Sequence, residues 1–326
     1  MDGSRDLAQA PARAGCKAGS LTRHYVFIDY ATQGYMLLVG LLVLVFHDDR
    51  VSGWPLLLAG HAAVIGLVHW LIQAQAARPA NKVLEFLRHF YPVLLYTAFY
   101  RETGSLNQMF VSGYLDAFFI RLEEQVFHVQ PSLAFMEALP YLPVSELFYV
   151  SYFSYYVMIA GVGLALFFRN RAQFYHYVSV VSFVFYICYL LYIFLPVMGP
   201  RIFFKELTDY NLPDELLPSE FPPEFPAAVQ LGPFYRIMAL IYHVFEAPGA
   251  AFPSSHVAVA IATAFFSYRY LRSIRHLHFV VVVLLCVATV YCRYHYVVDV
   301  VAGAVTAALL IPLGNALYFK LSRARE

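Results

Sequence analysis

The stretch "GAAFPSSHVAV" (Gly249–Val259) sets Pro253, Ser254, Ser255 and His256 at the head of an apolar run that continues to Leu271. A second stretch, "YCRYHYVVDVVAG" (Tyr291–Gly303), places Arg293, His295 and Asp299 between one apolar run and the next. How these stretches are read depends on what the apolar runs are. Eight of them approach or reach the ~18–20 residues that a bilayer-spanning helix needs. They cover Val26–Phe46, Trp54–Gln73, Val83–Tyr100, Val144–Phe168, Tyr175–Leu195, Ser255–Leu271, Leu277–Cys292 and Val297–Phe319. The third is the weakest, because Glu85, Arg88 and His89 interrupt its start. The expected fold is therefore all-α, a polytopic transmembrane helix bundle of about eight spans.

Composition agrees. The chain is 60% hydrophobic and only 13% charged, about half the charged share of a soluble domain. Its mean hydropathy is +0.60. A net charge of +1 gives no footprint for nucleic acid. The four cysteines have neither paired nor metal-type spacing and read as packing residues. Residues 1–24 read as a polar, disordered cytoplasmic tail.

Between the third and fourth runs, "YLDAFFIRLEEQVF" has apolar residues at helical spacing with acids opposite, the pattern of an interfacial helix. Between the fifth and sixth lies a long connection, Pro196–Phe252, rich in Pro, Glu and Phe. Connections of that length are more often functional than merely linking.

Lys and Arg set the orientation. Arg5, Arg13, Lys17 and Arg23, then Arg78 with Lys82, Arg169 with Arg171, Arg269 with Arg272 and Arg275, and finally Lys320, Arg323 and Arg325 all fall on one side of an eight-span chain. That side is expected to be the cytoplasm, holding both termini. The opposite loops are acidic, with Asp48, Asp49, Glu102, Asp116, Glu123 and Glu124. "MGPR" (Met198–Arg201), "FPSSH" and "RYHYVVD" then converge on the non-cytoplasmic face, periplasmic, extracellular or lumenal. Polar groups at a bilayer edge are costly and so are candidates for function.

The residue types form a coherent set. His295 and Asp299 are spaced one helical turn apart, so the carboxylate can orient the imidazole and leave its other nitrogen basic. Pro253, Ser254 and Ser255 open a helix whose free N–H groups and hydroxyls suit an anion. Arg201 and Arg293 supply fixed positive charge with bidentate geometry. Two His, one Asp, two Ser and two Arg fit phosphoryl transfer through a phosphohistidine, with no metal or other cofactor required. Each piece alone has a plainer reading: Pro-Ser-Ser is also an ordinary N-cap, and a His–Asp pair at this spacing also packs or caps. The other histidines lack such company and read as structural. Two further readings stand beside this one. In one, a transporter or channel uses the His/Asp/Arg cluster as a proton or anion relay, which predicts charge near mid-span. In the other, His256, His295 and Asp299 hold a metal.

The two motifs together resemble the type-2 phosphatidic acid phosphatase superfamily. With "GPR", "FPSSHVA" and the Tyr-x-Arg-x-His-Tyr-x-x-Asp-Val-x-x-Gly pattern, the chain looks most like its inositol phosphotransferase branch, which includes fungal inositol phosphorylceramide synthase. The resemblance spans about 116–303. It implies that His295 is the nucleophile, Asp299 its orienter and His256 the acid that protonates the leaving group. It also implies a six-span phosphatase-type core over residues 81–320, with the helices of residues 25–80 as additions. The implied activity is hydrolysis of a lipid phosphate, or transfer of its headgroup to a lipid alcohol acceptor. Arg201, Arg293, Ser254, Ser255 and Lys205 are the expected phosphate-binding groups. The chain departs from the common pattern in four places: Thr289 stands at the usual Arg, Arg293 at a usual Gly, Ser255 at the Gly of Pro-Ser-Gly-His, and Lys205 follows "GPR" where a Lys usually precedes it.

Overall fold

The computed structural model describes residues 22–51, 53–204 and 224–323. Among them the chain is all-helical. Eight long helices match the eight predicted runs: α1 (Phe27–Phe46), α2 (Trp54–Ala77), α3 (Lys82–Leu106), α6 (Leu142–Arg169), α7 (Arg171–Phe194), α11 (Ser255–Tyr270), α12 (Arg275–Tyr291) and α13 (Val297–Arg323). Shorter helices are α4 (Asp116–Phe127), α5 (Pro131–Ala138), α8 (Pro200–Phe203), α9 (Ala227–Gln230) and α10 (Pro233–Phe245). The last three break up the long connection that the sequence reads as one loop.

Five of the eight long helices, α1, α2, α6, α7 and α13, are long and apolar enough to cross a membrane. α11 and α12 run to only 16 and 17 residues. α3 is long enough, but it carries Lys82, Glu85, Arg88, Arg101 and Glu102. The bundle absorbs part of that charge. Arg88 is buried in an ion pair with Asp29 of α1, and Tyr91 donates a 2.6 Å hydrogen bond to the same carboxylate. Removing one partner of such a pair costs about 3–5 kcal/mol, because the other charge stays buried. His61 of α2, read as structural from sequence, lies 2.6 Å from Glu102 and also meets the Met36 carbonyl.

α7 is the axis of the bundle. α1, α3, α6, α11 and α13 all pack on it, and α2 sits outside against α1 and α3. The alternating small residues of α11, Ala258, Ala260, Ala262 and Ala264, are buried and let its neighbours approach closely. The basic turns gather at one end: Arg171 meets Glu85 at 3.2 Å and Arg169 meets the Tyr270 carbonyl at 3.2 Å. The polar motifs gather at the other.

Candidate active site

Three chain segments are sewn together at that second end. The Val197 carbonyl accepts from Ala251 N–H at 2.8 Å, and Val197 N–H donates to Gly249, tying the "MGPR" turn to the approach to α11. Ser254 N–H donates to the Asp299 carbonyl at 3.1 Å, tying α11 to α13. Two glycines allow this closeness. Gly199 has φ +85°, and a Cβ there would stand 2.7 Å from the Tyr294 carbonyl. A Cβ on Gly303 would stand 2.5 Å from the Ser254 carbonyl.

Within this frame the two histidines meet. His256 enters on the first turn of α11, and His295 sits in the turn before α13. His295 Nε2 lies 3.4 Å from His256 Nδ1. His295 Nδ1 lies 3.5 Å from Asp299 Oδ2, with no hydrogen bond closed in this geometry. Asp299 Oδ2 also accepts from Tyr296 N–H at 2.9 Å, so the carboxylate caps its own helix while facing the imidazole. Burial pushes the His295 ring down to about 4, against a backbone contact with Ala251 that pulls it up. The ring is therefore neutral through the physiological range, which leaves one of its nitrogens with a free lone pair.

Ser254 is the N-cap of α11, accepting from Val257 N–H at 3.3 Å. Ser255 N–H donates to the Tyr192 hydroxyl, which in turn donates to the Pro253 carbonyl. Tyr155 and Tyr152 flank His256 with ring centroids at 4.5 and 5.1 Å. Arg201 pairs with Glu246 and lies over the rings of Tyr242 and Tyr294, 4.6 and 5.6 Å from their centroids. Tyr294 is tilted against Tyr152 with centroids 4.4 Å apart, so two rings, Tyr294 and Tyr152, stand in series between Arg201 and His256. Lys205 lies outside the described residues.

Arg293 is placed differently. It is buried, 3.1 Å from the Glu137 carboxylate of α5, and donates to the Glu224 carbonyl. Its backbone explains the usual glycine. α12 ends in a Schellman turn: Arg293 N–H bonds to the Val290 carbonyl and Tyr294 N–H to the Thr289 carbonyl, with Arg293 at φ +61°. A side chain in this left-handed conformation costs about 1–2 kcal/mol relative to glycine. His295 N–H bonds to the same Thr289 carbonyl at 3.1 Å, so the turn presents the histidine directly.

Sequence reasoning missed the carboxylates that hold this assembly. Asp116 and Glu123 read as exposed acids opposite the apolar face of an interfacial helix; both are buried in α4. Asp116 accepts from the N–H groups of Met198 and Gly199 and from the Tyr296 hydroxyl at 2.8–2.9 Å. Glu123 Oε1 accepts from Val297 and Val298 N–H, capping the start of α13 from outside the helix. Their spacing of one face on α4 was legible; their partners, some eighty to 180 residues away, were not.

Burial raises both carboxyls to about 7. Between the ordinary carboxyl value near pH 4 and pH 7, the folded protein keeps protons that the unfolded chain releases. Stability from these groups is thus full at acid pH and falls as pH rises through about 7. Glu123 Oε2 has no hydrogen-bond partner among the described residues, so Gln fits the same cap. Thermal unfolding in detergent is expected to show Tm falling from about pH 5 to about pH 8, and Glu123→Gln is expected to flatten that fall. An unchanged slope would remove Glu123 as its source.

The family model of the PAP2 superfamily matches residues 117–313. That is more than half of the 326 residues, and it takes in α4 through most of α13. The chain belongs to the PAP2 superfamily. No curated protein and no solved structure matches it. The match begins after α3, so the first three helices lie outside it. Membership supports phosphatase-type chemistry on a phosphate-bearing substrate.

Proposed function

We propose that this protein is an integral membrane enzyme that hydrolyses a lipid phosphate or transfers its phosphorylated headgroup to a lipid alcohol, with no metal taking part. The observation that carries this reading is the 3.4 Å meeting of His295, in the turn before α13, with His256, on the first turn of α11, with Asp299 behind the first. The inositol phosphotransferase branch is the favoured placement within the family, on the "GPR" and Arg293 signatures.

In this reading the substrate phosphate displaces the contact between the two rings. His295 Nε2 attacks phosphorus, the bond from phosphorus to the leaving oxygen breaks, and a proton from His256 goes to that oxygen. A phosphohistidine remains. Water or a lipid hydroxyl then attacks phosphorus, gives its proton to His256, and the N–P bond breaks. Asp299 orients His295 and balances the positive charge that develops on it. Arg201 and Arg293 neutralise the phosphoryl oxygens, helped by the Ser254 and Ser255 turn. Each arginine is paired with a carboxylate, Glu246 or Glu137, whose place an anion can take. By the distribution of Lys and Arg, the site faces the non-cytoplasmic side.

The test uses purified protein in detergent with EDTA. A panel of lipid phosphates is offered with and without a lipid alcohol, and products are resolved by mass spectrometry. Free phosphate means hydrolysis. A phosphodiester that forms only with the acceptor means transfer. No turnover of any kind refutes the enzymatic reading.

A further inference from the structure

The turn that carries His256 is held from two sides. From α13, the Asp299 carbonyl accepts from Ser254 N–H at 3.1 Å. From α7, the Tyr192 hydroxyl accepts from Ser255 N–H at 3.1 Å and donates to the Pro253 carbonyl at 3.1 Å. One side-chain oxygen therefore bridges the N-cap residue Ser254 and fixes the peptide groups on both sides of it. His256 is the next residue along the chain.

The chemistry of this contact calls for a tyrosine. Ser255 opens α11, so its N–H has no carbonyl one turn earlier to bond. Ser255 and Tyr192 are both buried, and buried N–H, C=O and hydroxyl groups need partners. A phenol in the last turn of α7 supplies one acceptor and one donor at a single point. The contact also revises what the turn offers an anion. The N–H groups of Ser254 and Ser255, expected from the sequence to be free, are engaged by Asp299 and Tyr192; the two serines keep their hydroxyls for that purpose.

The frame matters because His256 Nδ1 stands 3.4 Å from His295 Nε2. A group that hands a proton to a leaving oxygen must lie within hydrogen-bond reach of it. A misplacement of about 1 Å can cost on the order of 10²-fold. The Ser254–Asp299 contact references α11 to the residue whose side chain faces His295, and Tyr192 completes that frame from α7.

We propose that Tyr192 is a positioning residue for His256: its hydroxyl locks the Pro253–Ser255 turn so that His256 can pass its proton to the leaving oxygen. The proposal rests on the phosphoryl-transfer reading of His256 and His295. It adds a residue of α7 that touches neither histidine's reacting atoms nor the phosphate and acts through the backbone alone.

The test is Tyr192→Phe in the purified full-length protein, which keeps the ring and removes the hydroxyl. Rapid quench measures the first labelling of the protein by radiolabelled hexadecyl phosphate and by radiolabelled nitrophenyl phosphate. The alkoxide leaving group needs a proton and the nitrophenolate does not. Labelling by hexadecyl phosphate is expected to slow by about tenfold or more, and labelling by nitrophenyl phosphate by less than about twofold. Both rates come from one preparation, so their ratio does not depend on how much of it is folded. Tyr186→Phe is the control. It removes a buried hydroxyl contact to Thr32 at 3.0 Å, about 9 Å earlier along α7 at 1.5 Å per residue, and is expected to leave the ratio unchanged. Amide hydrogen exchange in the peptide holding Ser255 is expected to quicken in Tyr192→Phe and not in Tyr186→Phe. Equal slowing with both substrates would reduce Tyr192 to a packing residue and overturn the proposal. So would an unchanged ratio, or unchanged exchange. Normal labelling of the wild type beside any of these results sinks this proposal alone. A wild type labelled by neither substrate sinks the phosphoryl-transfer reading, and the role of Tyr192 with it.

Discussion

His295→Ala is expected to abolish turnover, by on the order of 10⁴-fold or more, because loss of a nucleophile removes the covalent route entirely. His256→Ala is expected to behave differently. A general acid contributes about 10²–10⁴-fold, and much less when the leaving group needs no proton. With nitrophenyl phosphate as substrate, the His256 variant should therefore still phosphorylate His295 and then fail to release the phosphate efficiently. The check is a quench with radiolabelled substrate. Label on the protein that survives base and not acid is expected in His256→Ala and absent in His295→Ala. Reversed labelling would exchange the two roles, and label in neither, with turnover intact in both, would remove the phosphohistidine altogether. The 3.4 Å contact between the rings makes the comparison sharp, since each variant leaves the other ring in the same pocket.

Arg201→Ala is expected to lower kcat/KM by about 10²–10³-fold, the loss typical of removing one fixed group that stabilises transition-state charge. Arg201→Lys should not rescue it. The guanidinium carbon lies 4.6 Å from the Tyr242 ring centroid and 5.6 Å from that of Tyr294, while Nη2 meets Glu246. A lysine ammonium is a compact point charge and cannot offer an anion the two parallel N–H donors that a guanidinium can. Steady-state kinetics on both variants, with Tm measured alongside, decides the matter. Full activity in the lysine variant would mean that only charge at this position matters. Full activity in the alanine variant would move the phosphate site toward Arg293.

Much of this was legible without coordinates because a bilayer makes sequence simple. A spanning segment must satisfy its backbone within itself, so it must be a helix, and it must be apolar over a fixed length. All eight predicted runs are helices, and five of them are long and apolar enough to cross a membrane. The pattern weakens where partners replace lipid: α3 holds Arg88 only because Asp29 and Tyr91 receive it, and nothing in the run around Arg88 announces a carboxylate on α1. The long connection likewise hid α10, a short amphipathic helix that delivers Tyr242, and next to it Glu246, to Arg201.

By itself the sequence determined the helical class, the candidate residues and the one-turn spacing of His295 and Asp299, because each follows from local chain geometry or residue chemistry. Only the tertiary structure decided that His256 faces His295, that Arg293 occupies a left-handed turn against Glu137, and that Asp116 and Glu123 of α4 hold the "GPR" turn and the start of α13. The physical reason is the same for all of them. These are contacts across tens to hundreds of residues, and their energy depends on burial and distance, which no short window of sequence carries.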